Sequence, residues 1–216
     1  MRLAQSASAW RFRLFQRHRH RHLRLERVSG VPLVILPEVF SPALFRTGEM
    51  LARHVAGLAL PPGTRVLDLG CGSGIASVFA AKPGVTVVAS DISPYAVRCA
   101  RMNVLLHCLE DRVDVREGDL FEPVAGECFD LVLFNPPYFR GCAREPWELA
   151  WRSEDALQRF AAGLQAVLTP GGRAILILST VAEGALETLA SSGHTVRVLA
   201  ELPLLTERLS IVEVRP

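Results

Sequence analysis

Residues 65–75 constrain the architecture more than any other stretch of the chain. An apolar run, Arg65-Val66-Leu67-Asp68-Leu69, passes into Gly70-Cys71-Gly72-Ser73-Gly74, and a helical pattern opens at Ile75. A strand that turns through glycines into a helix is the opening unit of an open α/β sheet, because bare backbone and a helix N-terminus meet beyond the strand's carboxyl end. The alternation then continues. Strands are predicted at 85–90, 112–116, 129–134 and 173–180, and helices from 94, from about 154 to 168, and near 181–190. Ser93-Pro94 supplies an N-cap followed by proline at the first helical position. Such a series predicts a parallel sheet with helices on both faces. The last apolar runs, 194–202 and 209–214, predict an antiparallel pair at the sheet edge.

Ahead of the glycine turn, residues 23–37 alternate and break at Ser29-Gly30, which predicts a β-hairpin. After Phe40-Ser41-Pro42, Thr47-Gly48-Glu49 opens a helical stretch with Met50, Leu51, His54, Val55 and Leu58 in phase, stopped by Pro61-Pro62-Gly63. The expected organisation is a basic leader at 1–22, a hairpin and helix at 23–60, and a catalytic domain at 61–216. Half of the 216 residues are apolar, enough to bury one core of that size.

Three successive strand ends carry candidate ligand-binding residues. Gly70, Gly72 and Gly74 depart from the dinucleotide pattern Gly-x-Gly-x-x-Gly, since the third glycine comes one residue early, and this disfavours a nicotinamide cofactor. Asp91 ends the second strand, where a carboxylate can accept both hydroxyls of a ribose. Asp119 ends the third, where it can accept an adenine amino group while Leu120 covers the ring. Plainer uses exist: glycines turn many loops, Asp91 can cap the next helix, and Asp119 can close a turn after Gly118. Their coincidence in one crevice argues for a nucleotide-like ligand, with Asp68, Cys71, Ile92 and Asn135 completing the predicted cofactor set. Cys71 is read as small filler in the turn.

Asn135-Pro136-Pro137-Tyr138 follows the strand at 129–134, about sixty residues after the glycines. An amide or base amino nitrogen is a poor nucleophile because its lone pair is delocalised into the adjoining π system. The Asn135 side-chain oxygen and the Pro136 carbonyl can accept its two N–H bonds and leave the lone pair aimed at the methyl of a sulfonium. Proline adds rigidity and no competing N–H. Tyr138 can stack on the flat acceptor, and Phe139 can extend the platform. The plainer use of this tetrapeptide is a simple chain reversal after a strand. Behind the glycine and acidic positions it points to methyl transfer to nitrogen by positioning and electrostatics.

With these residues in view, the chain from Phe40 through Val214 resembles a class I S-adenosylmethionine-dependent methyltransferase, and Asn-Pro-Pro-Tyr resembles the HemK-type N-methyltransferase branch. The resemblance implies a Rossmann-like sheet of seven strands with the last one reversed. It assigns Gly70 to Gly74 and Asp91 to the methionine and ribose ends of the cofactor, Asp119 and Leu120 to adenine, and Asn135 to Tyr138 to the acceptor. Bacterial release-factor glutamine methyltransferases carry a larger helical N-terminal domain, whereas this chain shows a hairpin and a basic leader. It looks more like short, arm-less relatives, some of which use a small zinc-binding activator subunit, so such a subunit is a candidate partner. Ala150-Trp151-Arg152-Ser153-Glu154 resembles their segment after the motif, without its usual paired glycines.

The acceptor expected from this reading is a macromolecule. A glutamine side chain of a release factor-like protein is narrowly favoured over an exocyclic amine of adenine, cytosine or guanine in RNA or DNA. A non-catalytic cofactor-binding module is disfavoured by the intact tetrapeptide. Charge speaks for the nucleic-acid alternative: residues 1–27 hold eight arginines and one acidic residue, Glu26, although the whole chain is only +2. His18, His20 and His22 alternate in that leader, but arginines lie between them and no cysteine or carboxylate partners them, so no metal is expected. An arginine-rich, acid-poor start also resembles an organelle transit peptide. Lys82 is the only lysine in the chain, so the arginine bias extends well beyond the leader, and a cytoplasmic location is expected. Five scattered cysteines suit a reducing compartment, and no apolar run approaches the ~20 residues that span a bilayer.

Overall fold

The computed structural model describes residues 22–42, 46–143, 146–182 and 184–216. The expectations for the leader through residue 21, His18 and His20 among them, lie outside the described residues. A hairpin of β1 (Arg24–Val28) and β2 (Val31–Ile35) precedes helix α1 (Arg46–Gly57). The alternating core follows as β3 (Arg65–Leu69), α2 (Ile75–Ala80), β4 (Thr86–Asp91), α3 (Pro94–Leu106), β5 (Val113–Glu117) and β6 (Phe129–Phe134). A short parallel pair, β7 (Phe139–Arg140) and β8 (Arg152–Ser153), comes next. After it come α4 (Ala156–Gly163), β9 (Leu168–Ser179), α5 (Ala185–Ser191), β10 (Thr195–Pro203) and β11 (Arg208–Arg215).

Seven strands form one sheet in the order β10-β11-β9-β6-β3-β4-β5. β3, β4, β5, β6 and β9 run parallel, and β11 is antiparallel to both of its neighbours, β9 and β10. Central strands of such a sheet are apolar on both faces because helices cover both. In β3, Val66 packs with Leu131, Val87 and Ala100 in one layer, while Leu67 and Leu69 pack with Phe134, Phe160 and Leu164 in the other. Each such fully buried aliphatic side chain contributes roughly 1.5–3 kcal/mol.

A fully buried amide fastens the hairpin to α3, beside the Cys99 thiol at 3.2 Å from the Val34 carbonyl and His107 Nε2 at 2.8 Å from the Pro32 carbonyl. Asn103 on α3 accepts from the Val34 N–H (2.8 Å), and its own NH2 donates to the Val34 carbonyl (2.8 Å) and the Ser73 carbonyl (2.9 Å). One side chain thus ties β2 to the glycine turn.

Three elements differ from their sequence-based expectation. The helix foreseen over 154–168 is α4 followed by a 3₁₀ turn, Leu164–Val167. Pro170-Gly171-Gly172 does not precede β9 but lies within it. Phe129 is in register with Leu168 and Leu131 with Arg173, so the turn residues bulge out of a strand that has already begun, with Gly171 at φ 81°. α5 starts at Ala185 rather than 181, after Gly184 at φ 74°. Among the described residues, no helix is long and apolar enough to cross a membrane and no cluster of His, Cys, Asp and Glu is placed to hold a metal ion.

Candidate active site

The chain runs outward from β3 to β4 and β5, then returns to lay β6 on the other side of β3. That reversal opens a crevice beyond the carboxyl ends of β3 and β6, the usual ligand site of such sheets. Register makes the juxtaposition concrete: Leu69 pairs with Phe134, so Gly70 and Asn135, each the next residue, leave the sheet side by side. A cleft of about 230 Å³ opens there. Of the predicted site residues, Asp68, Gly70, Cys71, Gly72, Asp91, Ile92, Asp119, Leu120, Asn135 and Pro137 line it, while Gly74, Pro136 and Tyr138 do not.

The glycine turn is built for close approach. A Cβ on Gly72 would meet nothing within 4 Å, which leaves the backbone bare on the cleft side, whereas Gly74 packs so tightly on α3 that a Cβ would come within 3.1 Å of Ala100 Cβ. Asp91 accepts from the Gly72 N–H (2.9 Å) with one oxygen and from the Ser93 N–H (2.9 Å) with the other. It therefore both fixes the turn and supports the start of α3, where the Ser93 hydroxyl caps the Ala96 N–H. Asp68 lies under the turn, its Oδ2 accepting from the Ser77 N–H (2.9 Å) and the Ser77 hydroxyl (2.5 Å), which ties β3 to α2. Burial pushes its carboxyl up to about 6, with the Asp91 charge adding to the rise against the pull of the Ser77 bonds. Burial likewise raises Asp91, offset by its backbone donors. The Cys71 thiol is pushed well above its ordinary value by burial and by both carboxylates, so it stays a neutral filler of the turn.

At the far end, Asp119 Oδ2 is held by Arg159 Nη2 of α4 at 2.7 Å, and Leu120 takes a left-handed φ of 47°. A bulky side chain in that region is strained and is held by its surroundings. The Ser90 hydroxyl, on a side chain only 1% exposed and lining the cleft, has no hydrogen-bond partner. An orphaned hydroxyl, an uncovered glycine backbone and two carboxylates at strand ends fit a ligand with a cationic end and a ribose.

On the other wall, Glu38, Val39, Phe40 and Pro42 come from the loop after the hairpin. Glu26 of β1 holds that loop by accepting from the Ser41 hydroxyl (2.7 Å), and Phe40 packs on Trp151 with centroids 4.6 Å apart. Tyr138 does not have its hydroxyl in solvent. It donates toward Asn135 Oδ1 (2.6 Å) and Ile177 O of β9 (3.2 Å), and burial together with the Glu207 charge keeps the phenol protonated far above its usual range. Asn135 Nδ2 faces the buried Thr47 hydroxyl at 3.5 Å, and that hydroxyl also bonds the Tyr138 phenol.

Sequence reasoning missed Arg159 and the contact of Thr47 with Asn135, neither of which has a local signature; the Ala150–Glu154 segment stood out by resemblance, but not the β7–β8 lip that its Arg152 and Ser153 form. Arg159 reads as one exposed position of an amphipathic helix, and Thr47 as part of a helix start.

A sequence model of the methyltransferase small domain matches residues 30–202. A protein of Methanocaldococcus jannaschii, provisionally named a protein N5-glutamine methyltransferase, is 32% identical over 86% of this chain and 95% of its own length. The release factor glutamine methyltransferase of Gloeobacter violaceus is 35% identical over 81% of this chain and 61% of its own, and the ribosomal protein uL3 glutamine methyltransferase of Bradyrhizobium diazoefficiens is 38% identical over 51% and 38%. The chain therefore spans nearly all of the first relative and less than two thirds of the other two. Among solved structures, a methyltransferase of Pyrococcus furiosus superposes with a TM-score of 0.64 over 98% of both chains at 17% identity. A 16S rRNA methyltransferase of T. thermophilus, in complex with AdoMet and guanosine, superposes at 0.66 over 90% of this chain and half of its own at 23% identity. At such identities these two likenesses concern the fold.

Proposed function

Because the chain belongs to the methyltransferase small domain family and has the class I methyltransferase fold, we propose that it transfers a methyl group from S-adenosylmethionine to the side-chain nitrogen of a protein glutamine. The observation that carries this reading is the register of Leu69 with Phe134, which sets the Asn-Pro-Pro-Tyr segment beside the glycine turn. S-adenosylmethionine, when bound, supplies a methyl group on a positively charged sulfur. The Gly70 to Gly74 backbone would hold its methionine part, Asp91 its ribose, and Asp119 with Leu120 its adenine. Ile92, exposed on the cleft wall, adds apolar cover.

Asn135 lines the cleft and is assigned one N–H of the acceptor; the other is assigned to the carbonyl of Pro136, a residue that is buried beside it and outside the cleft lining. Two oxygens gripping both N–H bonds in the amide plane would leave the nitrogen's lone pair perpendicular to that plane and open to the methyl group, and this orientation lowers the barrier without a prior deprotonation, one of the two protons being lost after the nitrogen has taken the methyl. Phe40, Pro42 and Pro137 wall the entrance with apolar surface, which limits water around the reacting nitrogen. Glutamine is favoured as acceptor by the relative that shares most of this chain's length and by the two glutamine methyltransferases that share its central part.

The test is incubation with labelled S-adenosylmethionine and two acceptors, a release factor-like protein and total RNA, followed by protease or nuclease digestion. Label released by protease and recovered as N5-methylglutamine supports the reading, and label released only by nuclease moves the acceptor to a base amine. Asn135→Ala should keep cofactor affinity and lose transfer, whereas Asp91→Ala should lose affinity. Equal turnover by wild type and the Asn135 variant would refute the assigned chemistry.

A further inference from the structure

An amide that must present oxygen to a substrate has an inherent ambiguity: turning Asn135 by 180° about its terminal bond would present an NH2 of nearly the same shape and the opposite hydrogen-bonding character. Something must tell the two edges apart. Two groups contact this side chain, and a third anchors one of them. The Tyr138 hydroxyl is 2.6 Å from Oδ1, the Ile177 carbonyl is 3.2 Å from that same hydroxyl, and the Thr47 hydroxyl is 3.5 Å from Nδ2.

We infer that Tyr138 acts through its hydroxyl as a positioning residue, holding the Asn135 amide with its oxygen available to the acceptor, and that Thr47 closes the other edge of the same amide. This rests on the proposed methyl transfer and names two residues that set its geometry. The phenol is a donor with a single proton. Its nearer acceptor is Asn135 Oδ1, which fixes that atom as oxygen and uses one of its two lone pairs, leaving the second for a substrate N–H. In the flipped arrangement the Asn135 NH2 would face the Tyr138 oxygen, and the phenol proton would exchange its 2.6 Å contact for the longer one to Ile177 O or for the Thr47 hydroxyl, which also bonds the phenol. Thr47 lies on the first turn of α1 and is 6% exposed, so the Asn135 Nδ2 on that side is turned toward protein rather than toward the substrate. Segments far apart in sequence meet in one hydrogen-bonded cluster, with α1 and the Asn-Pro-Pro-Tyr turn on the Asn135 amide and β9 on the Tyr138 hydroxyl. Tyr138 is absent from the cleft lining, so its ring is not placed as the stacking platform expected from the sequence, and its hydroxyl is the group that reaches Asn135.

Tyr138→Phe separates the two roles because it keeps the ring and removes only the hydroxyl. The expected result is a kcat lower by roughly 10- to 100-fold, with the KM for the acceptor and the affinity for S-adenosylhomocysteine within about twofold of wild type, as for a group displaced from its reacting geometry. Thr47→Val should lower kcat by a smaller factor, and Thr47→Ser should restore it. A readout independent of turnover is the side-chain NH2 pair of Asn135 in a ¹⁵N spectrum, assigned by its loss in Asn135→Asp. Wild type should show one sharp pair, and Tyr138→Phe a shifted or exchange-broadened one. Full activity in Tyr138→Phe with an unchanged NH2 pair overturns the inference. If wild type methylates no glutamine but the NH2 pair responds as expected, the acceptor assignment fails and the positioning role stands.

Discussion

Arg159 Nη2 lies 2.7 Å from Asp119 Oδ2, joining α4 to the loop after β5 across the wall of the cleft. The two side chains are 43% and 32% exposed, so solvent screens the pair and its contribution to folding is small, about 0–1 kcal/mol. Its effect is expected on the ligand instead. One Asp119 oxygen is occupied and the carboxylate plane is fixed, which leaves the other oxygen oriented for an exocyclic amine. Arg159→Ala should melt within a few degrees of wild type and bind S-adenosylhomocysteine about tenfold more weakly or less. Calorimetric titration measures this, and unaltered affinity in the variant would mean that Asp119 needs no such support.

Asp68 predicts a pH dependence. Its carboxyl, pushed up to about 6 by burial, has an ordinary value of 3.8. Since the folded value is the higher one, its contribution to stability is complete below about pH 4 and is lost as pH rises through about 6. Affinity for S-adenosylmethionine runs the other way, because the positive sulfur and amino group favour the ionised carboxyl. Titrations on either side of pH 6 should show binding strengthening as pH rises, and Asp68→Asn should flatten the profile. A wild-type profile already flat through this range would remove Asp68 from the cofactor's electrostatics.

Gly72 and Gly74 both take left-handed φ angles, 55° and 77°, yet their surroundings separate the effects of an added methyl. At Gly72 the methyl enters open space in the cleft, so Gly72→Ala should cost only backbone strain, about 1–2 kcal/mol, and weaken cofactor binding disproportionately. At Gly74 the methyl would lie 3.1 Å from Ala100 Cβ and 3.2 Å from its Cα. Strain and overpacking add there, about 2–4 kcal/mol, and the loss should appear in thermal stability. Melting curves with and without S-adenosylhomocysteine distinguish the two. A Gly72 variant that binds as wild type does would place the ligand away from the turn.

Much of this site could be read before the fold was known, because its signals are local. β3 and β6 fall at their predicted bounds, since an apolar run followed by glycines or by Pro-Pro is punctuated by its own residues. The glycine turn and the tetrapeptide were legible as separate pieces for the same reason. Pro170-Gly171-Gly172 misled because a turn signal cannot reveal that Phe129 is already paired with Leu168 before the bulge. Nor could residue order reveal that the Tyr138 hydroxyl reaches Asn135, that Thr47 lies behind the same amide, or that Arg159 occupies one oxygen of Asp119. Each depends on which elements the sheet order brings together.

Asn103 offers the most direct test of how the hairpin and the cofactor turn are coupled. Its fully buried amide accepts one bond and donates two, to Val34 and Ser73. Asn103→Leu keeps the volume but removes the partner of the Val34 N–H and of the Ser73 carbonyl, while the Val34 carbonyl keeps the Cys99 thiol at 3.2 Å, a loss of about 2–4 kcal/mol given the cost of each unsatisfied group. For a chain of this size that corresponds to roughly 6–12 °C in melting temperature. Asn103→Asp can still accept from Val34 N–H but can donate to neither carbonyl and brings a charge into the core, so it should be the more damaging of the two. Because Ser73 sits between Gly72 and Gly74, both variants should weaken cofactor binding as well as stability, and the Val34 amide should exchange with solvent faster. If Asn103→Leu freed the hairpin without altering cofactor affinity, the glycine turn would hold its shape through the Asp91 and Asp68 contacts alone.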